Sequence, residues 1–146
     1  MGSIETDAAT AARLQWNRGA WLGSQLGGTL WMLVAGLLAV PKDAASASIV
    51  LALFAAVNLL GFLLWSRRSS LPVLAAFLIL LGAIGAAGCA AIFTLDRAGA
   101  WESIQLGSPI SARASYIVLA AVLLGLALLF SLRFGRAAAS EELPRS

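Results

Sequence analysis

The chain has 146 residues, 60 % of them apolar and 12 % charged, with a net charge of +3 and a mean hydropathy of +0.90. An average soluble domain carries roughly 25 % charge, and a chain of this length cannot hide so much apolar surface in one water-exposed core. Bilayer lipid can cover it, and the length allows one compact domain.

The ten basic residues, nine arginines and Lys42, do not form a stripe. They stand at the ends of apolar runs, where a membrane protein needs them, so nucleic acid is not an expected partner. The single cysteine, Cys89, lies inside an apolar run and excludes an internal disulfide or a cysteine metal cluster. Histidine, the commonest metal ligand and general base, is absent. No metal or cofactor is therefore expected.

Residues 1–17 read as a polar cytoplasmic segment. Asp7 is placed to cap a short interfacial helix through AATAARLQW. A transmembrane domain is expected over residues 18–134. Its first span runs over about 19–40 and is stopped by Pro41, which cannot continue the helical ladder. This run is too long for a signal-peptide core, so it should remain in the mature protein. The connection Lys42-Asp43-Ala44-Ala45 is so short that spans one and two must be antiparallel neighbours.

The second span, about 46–65, ends at Arg67 and Arg68. Ser69-Ser70-Leu71-Pro72 reads as a restart, with serine capping and proline in the first turn. The third span covers about 71–95, an outer loop 96–113, the fourth span about 114–132, and a cytoplasmic tail 135–146. The expected fold is all-α, an up-down bundle of four transmembrane helices.

Seven basic residues fall on one side: Arg13, Arg18, Arg67, Arg68, Arg133, Arg136 and Arg145. The other side holds Lys42, Arg97 and Arg113, offset by Asp43, Asp96 and Glu102. The positive-inside rule then puts both termini in the cytoplasm. Arg18, Arg67, Arg68, Arg133 and Arg136 serve as topology anchors that also meet anionic head groups. Trp16, Trp21 and Trp65 fall at the inner interface and Trp101 and Tyr116 at the outer one; Trp31 belongs to neither belt. The arginine- and alanine-rich composition points to a GC-rich bacterial genome, and so to the inner membrane. As a class, the chain resembles the small four-span proteins of that membrane.

Two sets of small residues stand out. In the first span Gly19, Gly23, Gly27 and Trp31 follow one another at i+4, with Ser24 and Gly28 in the adjacent row. In the third, Gly82, Gly85 and Gly88 share a face with Cys89. Small residues let helix backbones approach, a main source of association in lipid. Packing within the chain and packing between chains both fit this pattern.

The intramembrane polar residues are Ser24, Gln25, Thr29 and Asn58. Gln25 lies seven residues past Arg18 and Asn58 nine before Arg67, about 10 and 13 Å deep. Folding the first hairpin brings Asn58 within a turn of Gln25 and Thr29, so a hydrogen bond from Asn58 to one of them is expected. The other reading of the same residues is the lining of a solute path. No Asp, Glu, Lys, Arg or His falls within a span, which argues against proton relays, ion coupling and voltage sensing.

There is no nucleophile–base pair, metal set or phosphate-cradling loop, so no catalytic residue is assigned and an enzyme is not expected. The leading expectation is a membrane protein acting by helix association, with itself or with another membrane protein. The alternative is an oligomeric channel or facilitator for a small neutral or hydrophobic solute.

Overall fold

The computed structural model describes residues 16–104 and 111–139; the expected interfacial helix before Trp16 lies outside them. Four long helices account for most of that length: α1 (Arg18–Ala39), α2 (Ala44–Ser66), α3 (Val73–Arg97) and α4 (Ala112–Ala139). A short 3-10 turn, Glu102–Ile104, lies between α3 and α4. Each of the four helices is long and apolar enough to cross a membrane. The described residues form an all-helical bundle, and its composition is that of a small multi-pass membrane protein.

The helix starts follow local hydrogen bonding. Asn17 caps α1, accepting from the N–H groups of Gly19 at 2.9 Å and Ala20 at 3.2 Å. Asp43 caps α2, accepting from Ala45 at 3.2 Å and Ser46 at 3.4 Å. That cap starts α2 two residues before the apolar run at Ser46, because satisfying the free N–H groups of the first turn decides where a helix begins.

The start of α3 differs from the sequence expectation. Pro72 is itself the cap residue, without a side-chain bond, and the helix begins at Val73. Ser70 turns back instead and donates to the Arg67 carbonyl at 3.0 Å. At the other end, α4 continues through Ala139, past the arginines at which the fourth span was expected to stop.

The end of α3 shapes that end of the bundle. Gly99 has φ +65°, a left-handed conformation that a Cβ would strain. Its N–H donates to Asp96 O, and the Ala100 N–H donates to Leu95 O, each at 2.9 Å. This paired termination closes the open carbonyls of α3. It also delivers Trp101, whose N–H bonds Leu95 O at 3.1 Å, onto the face of Trp31.

The contacts between helices fix their registers. On α1 and α2, Trp21 meets Gly61, Gln25 meets Asn58, and Gly36 meets Leu51 and Ala47, numbers rising on one helix as they fall on the other. On α3 and α4, Phe77 meets Phe130, Gly85 meets Leu123 and Gly88 meets Leu119. On α1 and α3, Gly28 meets Ile84 and Trp31 meets Gly88, rising together.

The core lies among α1, α2 and α3, where Met32, Val50, Leu80 and Leu95 are almost wholly buried. Among its described side chains, α4 buries only Ala112; Leu119 and Leu123 are half-buried against α3, and Val118, Val122, Leu124, Leu126, Leu128, Leu129 and Leu132 are exposed. It lies against α3 as an added helix.

The Asp43 carboxyl is held below its ordinary value of 3.8, chiefly by a hydrogen bond with the Ser46 side chain, with the Ala45 and Ser46 N–H groups adding to it. A depressed folded value means that the cap contributes fully above the unfolded value and is lost as pH falls through the folded one. Amide exchange should therefore show the Ala45 and Ser46 N–H groups losing protection only below about pH 4. Asp43→Ala should remove that protection at neutral pH and abolish the acid step.

Candidate functional site

The intramembrane polar residues form a closed clasp between α1 and α2. The Gln25 Nε2 donates to Asn58 Oδ1 at 3.0 Å and to the Asn58 carbonyl at 2.9 Å. The Asn58 Nδ2 donates to Thr29 Oγ1 at 3.1 Å and to the Phe54 carbonyl at 2.8 Å. The Thr29 hydroxyl donates to the Gln25 carbonyl at 2.8 Å, closing the ring. The expectation was one bond from Asn58 to Gln25 or Thr29, and Asn58 bonds to both.

Burial makes these bonds consequential. Gln25 is 5 % exposed and Thr29 0 %, so neither has water as an alternative partner. Only Gln25 Oε1 is buried without a hydrogen bond among the described side chains. It sits where a Cβ of residue 61 would stand; because that residue is glycine, the carboxamide rests on bare backbone. A weak Cα–H contact is what Gly61 offers it. The two acceptors at Nε2 fix which way the amide is turned.

Two members of this arrangement were not recognised in the sequence. Trp21 donates its indole N–H to the Gly61 carbonyl at 3.1 Å, and Gly61 admits the Gln25 head group. Their positions carried a signal: Trp21 is one turn before Gln25, and Gly61 one turn after Asn58. Trp21, expected as an interfacial belt residue, is 6 % exposed. It joins Trp16 and Trp65, with ring centroids 4.9 to 6.4 Å apart. The Arg68 guanidinium lies 5.2 Å above the Trp65 ring, joining an anchor residue to this cluster.

The glycines divide into used and unused. Gly28 receives Ile84, Gly85 receives Leu123, and Gly88 receives both Leu119 and Trp31. By contrast, a Cβ at Gly23, Gly27 or Gly82 would meet nothing within 4 Å, and one at Gly19 only Asn17 Oδ1. The row Gly19, Gly23 and Gly27 is therefore not spent on packing within the chain. Ser24 separates from the other polar residues: it is exposed, and its hydroxyl donates to Ala20 O at 2.9 Å. Of the other anchors, Arg18 opens α1 and Arg67 ends α2; the Arg133 and Arg136 side chains lie outside those described.

A cavity of about 630 Å³ lies between α1, α3 and α4. Gly27 and Trp31 line it from α1, Leu81 and Ile84 from α3, and Val122 and Leu126 from α4. The edge-on pair Trp31–Trp101, 6.4 Å apart at 87°, stands toward the end near the α3 C-terminus. Phe77 and Phe130, 4.5 Å apart, stand toward the end near the α3 N-terminus. No group of three His, Cys, Asp or Glu side chains among the described residues could hold a metal ion.

Comparison of the chain with protein-family models, with curated proteins and with solved structures finds no match. The class rests on the four apolar helices, which are those of a small multi-pass membrane protein.

A double-mutant cycle measures the clasp. Gln25→Leu and Asn58→Leu should each lower thermal stability in mild detergent, because each strands buried partners at a cost of about 1–3 kcal/mol. The double variant should lose less than the sum, with a coupling near 1 kcal/mol. Additive losses would show that the two side chains do not depend on each other.

Proposed function

We propose that this chain works by helix association, as a homo-oligomer or as an accessory subunit of a larger membrane complex, and not as an enzyme. It is an up-down bundle in a bacterial inner membrane with both termini cytoplasmic, as the seven-to-three division of basic residues between the two sides favours.

The observation that carries this reading is the open row Gly19, Gly23 and Gly27 on α1. In lipid, apolar side chains gain little by meeting one another, so helices associate where backbones can approach closely. The chain uses such approaches at Gly28, Gly36, Gly61, Gly85 and Gly88 and leaves this row vacant. Neighbouring Leu22, Leu26 and Leu30 are 42 to 50 % exposed and would flank an incoming helix. The reading as a water-lined solute path loses its lining, since Gln25, Thr29 and Asn58 are engaged with one another.

The test is the mass of the assembly in native-like bilayer discs. The parent chain should run as a discrete complex, and Gly23→Leu, alone and with Gly27→Leu, should shift it toward the 15.1 kDa monomer. Both substitutions point into open space, so the fold should survive them. A parent chain that is already a lone monomer, or a variant with unchanged mass, would overturn the reading.

A further inference from the structure

We propose that the cavity between α1, α3 and α4 binds one elongated, uncharged, lipid-soluble molecule, longer than an ordinary phospholipid acyl chain, that enters sideways from the bilayer. The inference rests on the membrane-spanning character of the helices; of the association row Gly19, Gly23 and Gly27, only Gly27 also lines the cavity.

The wall chemistry excludes most occupants. No charged side chain lines the cavity. Its serine hydroxyls, of Ser24 and Ser115, already donate to the carbonyls of Ala20 and Ser111, and its other side-chain polar groups are the indole N–H groups of Trp31 and Trp101, toward one end. An ordered water needs two to four polar partners, so water does not fill this space. A charged ligand would find nothing to pair with.

The dimensions select among apolar occupants. The lining on α3 runs from Phe77 to Ile92, about 22 Å along the helix axis. A volume of about 630 Å³ over that length gives a mean cross-section of about 28 Å². A helix of about 10 Å diameter has a cross-section of about 80 Å², so a span of a second copy or of a partner could cover the open side of this space but not fill it. The volume does fall within the range of small-molecule sites, about 300–1,000 Å³. The length also exceeds half of the roughly 30 Å hydrocarbon core, so an acyl chain confined to one leaflet would fill only part of it. A narrow apolar molecule crossing the mid-plane fits both measures.

The walls are held in place by close packing. Leu119 and Leu123 of α4 rest on Gly88 and Gly85, which sets the distance of α4 from α3. Gly28 seats Ile84, and Trp31 stands on Gly88, holding α1 to the same helix. The gap left between α1 and α4 is apolar and faces the membrane. The ring pairs Trp31–Trp101 and Phe77–Phe130 give flat apolar surfaces toward the two ends.

The tryptophan pair supplies the readout. The full chain in bilayer discs is titrated with an uncharged linear conjugated-tetraene fatty ester, and energy transfer from tryptophan is followed. Transfer should saturate at one probe per chain. Val122→Phe with Leu126→Phe, which fills the cavity from α4, should weaken binding at least tenfold. Leu63→Phe, on the exposed side of α2 and outside both the lining and the glycine row, should bind as the parent does. In the parent chain an unlabelled long prenyl alcohol should displace the probe, and a phospholipid with ordinary acyl chains should not. Transfer that rises linearly and equally in parent and filled variant, or displacement by the phospholipid, would reduce the cavity to a bulk-lipid surface and overturn the proposal. Equal loss in Leu63→Phe would also overturn it, by assigning the probe to the exposed outer surface of the bundle.

Discussion

The hydrogen-bonded ring of Gln25, Asn58 and Thr29 is the interaction on which the rest of the bundle depends. In an apolar medium a carboxamide without partners is costly, and here two carboxamides and a hydroxyl bond to one another across a single interface, leaving only the Gln25 Oε1 without a hydrogen bond. Individual interhelical bonds of this kind average only about 0.6 kcal/mol. Their larger effect is on register: sliding α2 along α1 by one turn would leave the Gln25 Nε2, the Asn58 Oδ1 and the Trp21 indole N–H without these partners together. Gly61 makes the arrangement sterically possible, because a side chain there would overlap the Gln25 head group.

With α1 and α2 locked, the remaining contacts follow from where glycines allow close approach. Gly28 and Gly88 bring α1 and α3 together through Ile84 and Trp31, and Gly85 and Gly88 seat two leucines of α4. All of the α4 contacts thus go to one side of α3, and a gap stays open beside α1. The protein consequently presents two different apolar features to the bilayer. One is the flat glycine row of α1, suited to another helix. The other is a narrow aromatic-ended cavity, too slim for a helix and suited to a thinner molecule.

The four spans were readable because each is an uninterrupted apolar run bounded by Arg, Lys or Pro, and lipid-exposed helices have few other ways to be written. The pairing of Asn58 with Gln25 and Thr29 was also readable, since a four-residue connection and the helical rise fix relative depth. The roles of Trp21 and Gly61 were not, because a tryptophan near a membrane boundary and a glycine in an apolar run each have commoner explanations. Pro72 was placed one position too deep: a proline suits the cap itself as well as the first turn, and the nearby serines found other acceptors. Which glycines would be filled depended on the side that α4 takes. Its plain Leu/Ala/Val sequence carries no polar mark of that choice.

The central claim is that the polar residues of α1 and α2 face each other in a dry interface and line no water path. Single cysteines at Gln25, Thr29 and Asn58, in a Cys89→Ala background, should be treated in intact vesicles with a membrane-impermeant thiol reagent. The account predicts no labelling at these three positions, with ready labelling of a cysteine placed at Lys42 as the accessible control. Labelling at Gln25, Thr29 or Asn58 comparable to that control would mean that water reaches the clasp, and would contradict the account.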